Sequence, residues 1–184
     1  MKKGMIVGAV IIALLLLFVV SAYNGLVQRD VGVDEAFGNL DAALQRRYDL
    51  IPNLVNTVKG YAEHEEGVFT EITELRSQWT KAASVSEKQA LSGKLEGAIG
   101  RLLLVAENYP ALKASENFLG LQDELAGTEN RITVARTRYN EKVKSMNTKV
   151  RTFPSNIVAN MFGFGKREFF EADEGAEEAV KVEF

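Results

Sequence analysis

The chain has 184 residues, a formal net charge of −3, no cysteine, one histidine and three prolines. The near balance of charge gives no whole-chain attraction to nucleic acid or to an acidic substrate, and the missing thiols exclude disulfides, cysteine nucleophiles and cysteine metal ligands. Once roughly twenty N-terminal apolar residues are set aside, enough chain remains for about one domain of ordinary size.

From Gly4 to Ala22 no residue carries a charge. As a helix rising about 1.5 Å per residue, this run approaches the roughly 30 Å of bilayer hydrocarbon. Lipid offers no partner to open N–H and C=O groups, so a helix is required there, and Tyr23 stands where an interfacial aromatic fixes depth. The rival reading is a cleavable signal peptide ending at Val20-Ser21-Ala22, but the apolar run exceeds the roughly 7 to 15 residues of such a segment. Lys2 and Lys3 before the run, against Arg29 alone just after it, place the N-terminus in the cytoplasm and the domain outside it. Gly4 and Gly8 form a GxxxG step, a candidate packing point for two transmembrane helices.

Behind the anchor an apolar stripe recurs at helical spacing: Val33, Phe37, Leu40, Leu44, Ile51, Leu54, Val58 and Tyr61. Arg47 takes the missing stripe position. Pro52 interrupts the pattern without shifting its register, which predicts a kinked helix, with a break into two helices as the alternative. Val68, Ile72, Leu75 and Trp79 predict a second helix over 67–83, stopped by a polar Ser84 to Ser86 segment that caps the next. Leu91, Leu95, Ile99, Leu102 and Ala106 mark a third helix that ends before Pro110. The fourth is expected from about 114 to 150, with Phe118, Leu125, Ile132, Tyr139 and Met146 seven apart. Leu121, Thr128 and Ala135 accompany them, and the companion position drifts to Val143 and Val150 as a 3.6-residue period must. No segment alternates with period two, so the fold class is all-α: an N-terminal transmembrane helix, then an antiparallel up-down bundle with long first and last helices. The expected organisation is an anchor over 1–23, a bundle over 24–165 and an acidic, flexible tail over 166–184.

RRYDLIPNLVNTVKGYAEHE at 46–65, NRITVARTRYNEKV at 130–143 and FPSNIVANMFGFG at 153–165 stand in an order and spacing that resembles the LemA family of bacterial membrane proteins. The resemblance covers most of the chain and includes the anchor. It implies a single-pass membrane protein with antiparallel helices and no established enzymatic activity. Some members of that family are associated with bacterial membrane organelles, which implies scaffolding. It supplies no catalytic residues to carry over.

The residues themselves offer little for catalysis. His64 is flanked by Glu63, Glu65 and Glu66, but adjacent helix positions face different ways and no second histidine completes an HExxH site. Asp123 and Glu124 read as exposed helix positions, and GFGKR at 163–167 lacks both the phosphate-loop spacing and a preceding strand. No serine is placed to use His64 as a base. The expectation is a protein that is not an enzyme and has no cofactor and no metal.

Interaction surfaces are the better candidates. Arg46 and Arg47 lie in the first motif, and an arginine on a core stripe must find a partner, because desolvating an ion costs several kcal/mol. From Arg131 to Arg151 the helix carries Arg131, Arg136, Arg138, Lys142, Lys144, Lys149 and Arg151 against Glu141 alone. A solvated face and the helix dipole are the plain explanation; attraction to anionic headgroups, at about 1 kcal/mol per residue, is the functional one. Phe153, Phe162, Phe164, Phe169, Phe170 and Phe184 crowd the C-terminal segment, either to wrap the bundle or to meet the bilayer or a partner. Four alternating helices would return this aromatic segment to the anchor's exit. Beyond it Glu171, Asp173, Glu174, Glu177, Glu178 and Glu183 form an acidic run. The expected partners are membrane lipid, further copies of the chain and other membrane proteins, with no nucleic acid. The leading functional expectation is a membrane-anchored scaffold of the bacterial inner membrane, and the alternative is a tethered binding or sensor module.

Overall fold

The computed structural model describes residues 2–62 and 65–171. His64, Glu63, Phe184 and the acidic run from Asp173 onward lie outside the described residues. Six helices follow one another: α1 (Lys2–Lys59), α2 (Glu66–Trp79), α3 (Val85–Glu107), α4 (Pro110–Lys113), α5 (Glu116–Arg151) and α6 (Ser155–Phe162). No strand occurs among the described residues, so the chain is all-α. Two compact units emerge among the described residues, one from residues 2–39 with Thr137–Phe169, the other from Leu40–Arg136 with Phe170 and Glu171. α1 and α5 contribute to both.

α1 is continuous, with Pro52 inside it, so the chain does not reverse there. Proline removes one backbone donor and crowds the preceding turn, but a helix whose apolar face is buried on either side tolerates that loss. Leu40, Leu44, Ile51, Leu54 and Val58 are all buried in the second unit. Tyr61 is not: the helix stops at Lys59, and Tyr61 falls in the turn, 45% exposed, while Ala62 takes the inner position. Sequence spacing alone carried the stripe one turn too far.

In the second unit the contacts fix the directions of four helices. Gln45 and Tyr48 meet Trp79, and Lys59 lies over Phe69, so α2 runs against α1. Arg101 pairs with Glu71, which sets α3 against α2, and Asp41 with Lys88 and Arg47 with Ser92 set it parallel to α1. Arg47 pairs with Glu129 and, further back along α1, Phe37 meets Tyr139, which sets α5 against α1. The result is the up-down-up-down order of a four-helix bundle. α3 opens on a capping box: the Ser84 hydroxyl accepts from the Glu87 N–H, and the Glu87 carboxylate accepts from Ser84 N–H. These bonds hold the Glu87 carboxyl below its usual range. α2 begins one residue earlier and ends four earlier than spacing suggested, with Phe69 rather than Val68 inside. Two elements had no signal at all: α4, a single turn opened by Pro110, and α6.

In the first unit α5 again runs antiparallel to α1, with Tyr139 against Phe37 and Lys142 beside Gly32. Leu26, Val33, Tyr139, Val143 and Met146 are buried between them, each large side chain contributing about 1.5–3 kcal/mol over its exposed state. The drift of the α5 seam to Val143 and Val150 appears as expected, both being buried.

Candidate functional site

Two constellations collect the charged and aromatic residues, one in each unit.

In the bundle, Arg47 is 2% exposed. Its Nη1 donates to Glu129 Oε2 at 3.0 Å and its Nη2 to the Ser92 carbonyl at 3.2 Å and to the Ser92 hydroxyl. Three helices are thereby tied at one level, because a buried guanidinium is tolerated only where acceptors surround it. Its Nε has no partner among the described residues, nor has the hydroxyl of neighbouring Tyr48. Burial pushes the Tyr48 phenol up, opposed by the Arg47 charge beside it. Tyr48 stacks on Trp79 with ring centroids 4.3 Å apart, and Lys88 stands over the other partner of that stack, 5.1 Å from the Trp79 ring. Arg47 also floors a groove of about 330 Å3 between α3 and α5, lined by Ile99, Gly100, Leu103, Leu125 and Ala126 and rimmed by Glu96, Gln122 and Glu129. Exposed Leu104 and Leu119 lie on the same two helices.

Arg46, by contrast, makes a 3.8 Å pair with Glu124 in which both side chains are about half exposed, an arrangement worth ~0–1 kcal/mol. Arg131 and Arg138 are exposed and Arg136 half-buried. The structure does not gather these three with Arg47 into one site.

In the first unit, the aromatic segment packs beside the end of the apolar run. Tyr23 meets Phe162 edge-on at 4.8 Å between centroids and Phe164 at 5.7 Å. Gly163 between them takes φ +77° as the C-cap of α6, a left-handed conformation that suits glycine. α6 buries Ser155, Val158 and Ala159, with the Ser155 hydroxyl donating to the Lys149 and Thr152 carbonyls. Its other face is apolar and exposed: Ile157 56%, Met161 63% and Phe162 49%, with Phe153 at 75% just before it.

After Gly163 the chain runs back along α5 as a strap without regular secondary structure, 164–169. Arg167 pins it, donating from Nε to Asp30 at 2.9 Å and from Nη2 to Asp34 at 2.9 Å. Its backbone N–H donates to Asn147 Oδ1 and its carbonyl accepts from Asn147 Nδ2. The Asp30 bond, ahead of an opposing desolvation, raises the Arg167 pKa. Tyr139 closes the strap by donating to the Glu168 carbonyl at 2.7 Å, and its burial pushes the phenol up. Residues 166–171, placed in the tail on composition, thus include a pinned Arg167 and a buried Phe170. No single-helix periodicity could flag this, because the acidic partners of Arg167 lie more than 100 residues away on α1.

Gly4 and Gly8 lie in α1, where a Cβ would meet nothing within 4 Å. α1 is the one described helix long and apolar enough to cross a membrane, with a mean hydropathy of 3.0 over its apolar window. Among the described residues no group of three or more His, Asp or Glu is placed to hold a metal.

The LemA family model matches residues 36–184. Magnetosome protein MamQ 2 of Paramagnetospirillum magneticum is 27% identical over 175 residues, 81% of this chain and 64% of the relative. MamQ of Magnetospirillum gryphiswaldense is 24% identical over 174 residues, 80% of this chain and 64% of the relative. Protein LemA of Metamycoplasma hominis is 27% identical over 152 residues, covering 82% of this chain and 69% of that protein. The chain spans 64% of the length of the magnetosome relatives it matches.

Proposed function

Because the chain belongs to the LemA family, matched from residue 36 to 184, we propose that it is a membrane-anchored helical scaffold that assembles with further copies of itself and organises other membrane proteins, without catalysis. The observation that carries this reading is the open apolar groove between α3 and α5, two helices that also expose Leu104 at 62% and Leu119 at 46%. A groove of about 330 Å3 takes one or two side chains of a partner helix, which is how helix-in-groove recognition works. Exposed apolar surface of this kind marks interaction faces. The names of the magnetosome relatives agree with a role in a membrane assembly. The apolar stretch of α1 serves as a transmembrane anchor in the bacterial inner membrane, with Gly4 and Gly8 available for close helix approach. Lys2 and Lys3 keep the N-terminus in the cytoplasm and the domain outside.

The full chain in detergent, run on size-exclusion chromatography with light scattering, tests the assembly. A discrete oligomer is expected, with disulfide crosslinking through Leu104→Cys in a chain that has no cysteine of its own. A monomer at all concentrations overturns the reading. Protease added to spheroplasts tests the topology and should digest the domain.

One observation favours a second reading, a tethered binding module. The Arg47 Nε faces no acceptor among the described residues although it is buried at the groove floor, so a ligand carrying an acceptor would complete it. A monomer whose melting temperature rises with such a ligand would support that reading instead.

A further inference from the structure

We propose that the first unit holds a second membrane contact: α6 lies in the bilayer interface as an apolar foot, and the cationic cleft beside it takes the phosphate of an anionic lipid headgroup. This deepens the anchor part of the reading above and is independent of self-assembly.

The foot follows from position and exposure together. Ile157 and Met161 are four apart in α6, so they share one face, and both are more than half exposed, as is Phe153 just before the helix. Phe162 and Phe164, at the far end of α6, rest on Tyr23, one residue past the anchor segment 4–22. α6 is therefore held at the level where the anchor leaves the hydrocarbon. An apolar helical face at that depth has one occupant at hand, the acyl and headgroup boundary of the anchoring bilayer. Exposed Asn160 beside that face suits such a boundary, where one side is wet.

The cleft, about 830 Å3, opens between the last turns of α5 and the strap. Lys144, Arg151 and Lys166 line it, each exposed and with no acidic partner among the described residues, while Arg167 is already engaged by Asp30 and Asp34. Glu168 is the one carboxylate in the lining. The Thr148 and Thr152 hydroxyls in the wall donate to the carbonyls of Lys144 and Thr148, so the donors left for an anion are the three cations. The cleft also adjoins the foot at both ends. Thr152 precedes exposed Phe153, and Lys166 is two residues, about 7 Å of chain, from Phe164 on Tyr23. Next to it, sharing Lys144, Thr148 and Thr152, a further cleft is lined by Arg29, Lys149 and Glu141, which extends the positive collar along the helix. Cations at headgroup height with apolar side chains just below match the layering of an anionic membrane surface.

The test uses the full chain as single copies in nanodiscs, so that its outcome does not depend on assembly, and a chain that does not insert refutes the anchor itself. A nitroxide on Met161→Cys should be accessible to oxygen and shielded from a water-soluble nickel relaxant; full aqueous accessibility overturns the foot. Lipid retained by the chain from a mixed phosphatidylcholine and phosphatidylglycerol bilayer should be enriched in phosphatidylglycerol. Each of Lys144→Gln, Arg151→Gln and Lys166→Gln should lower that enrichment about fivefold, as about 1 kcal/mol per cation implies. Unchanged enrichment in the triple variant, with helicity retained, overturns the cleft. Glycerol phosphate and inorganic phosphate form the competing arm. If either removes the lipid at millimolar concentration, the cleft is a soluble-phosphate site and the lipid assignment fails.

Discussion

Replacing Arg47 with alanine tests the central claim about the bundle, that one buried guanidinium ties α1 to α3 and α5. The substitution removes a charge-assisted bond to Glu129 and two donors to Ser92, and it empties the space of the arginine stem at a site 2% exposed. The Glu129 side chain is 45% exposed, so it regains water and its share is only ~0–1 kcal/mol. Ser92 is 7% exposed, so its carbonyl and hydroxyl lose buried partners at about 1–3 kcal/mol. With the lost stem packing, the sum is about 2–4 kcal/mol, or a melting temperature lower by about 5–15 °C for a chain of this size. Urea and thermal unfolding of the full chain in detergent, followed by circular dichroism, measures it. Arg47→Ala with Glu129→Ala should show coupling below about 1 kcal/mol, because most of the cost sits on Ser92. A loss under about 0.5 kcal/mol for Arg47→Ala, the range of ordinary surface changes, refutes the reasoning.

Arg167→Ala should release the strap, and amide exchange at 166–169 should rise well above that of the α5 core; unchanged protection would mean that packing, not the Asp30 and Asp34 pairs, holds it. Gly163→Ala forces a side chain into φ +77° and should cost about 1 kcal/mol, read from the same unfolding curves. The Glu87 carboxyl titrates below its ordinary 4.5, so its capping contribution is complete above that pH and is lost as pH falls through the lower folded value. The stability gap between the protein and Glu87→Gln should therefore close on acidification, and a pH-independent gap would contradict the capping role. Tyr48 and Tyr139 are held protonated by burial, with folded values above the ordinary 10.0. Their contribution is complete below pH 10 and falls away above it, so alkaline unfolding should come later in Tyr48→Phe than in the parent.

Local patterns in this chain carry element type and inward face, because helical spacing is a property of consecutive residues. The buried Leu91, Leu95, Ile99 and Leu102 of α3, the Ser84 cap and the rotating seam of α5 were all legible in that way. Arg47 was legible too: a cation on an apolar stripe must be met by acceptors, and the parity of four alternating helices brought the aromatic segment back to Tyr23. What the sequence could not decide was which distant groups meet. That Arg47 finds Ser92 and Glu129, and that Arg167 crosses from the supposed tail to Asp30 and Asp34, depends on helix rotation and loop path, which no local spacing encodes. α6 escaped for a related reason. Its eight residues are too few for a periodic signal to stand out, since a helix that short is held by tertiary packing rather than by its own propensity. Only the folded chain shows that Ser155, Val158 and Ala159 supply that packing and leave Ile157 and Met161 facing outward.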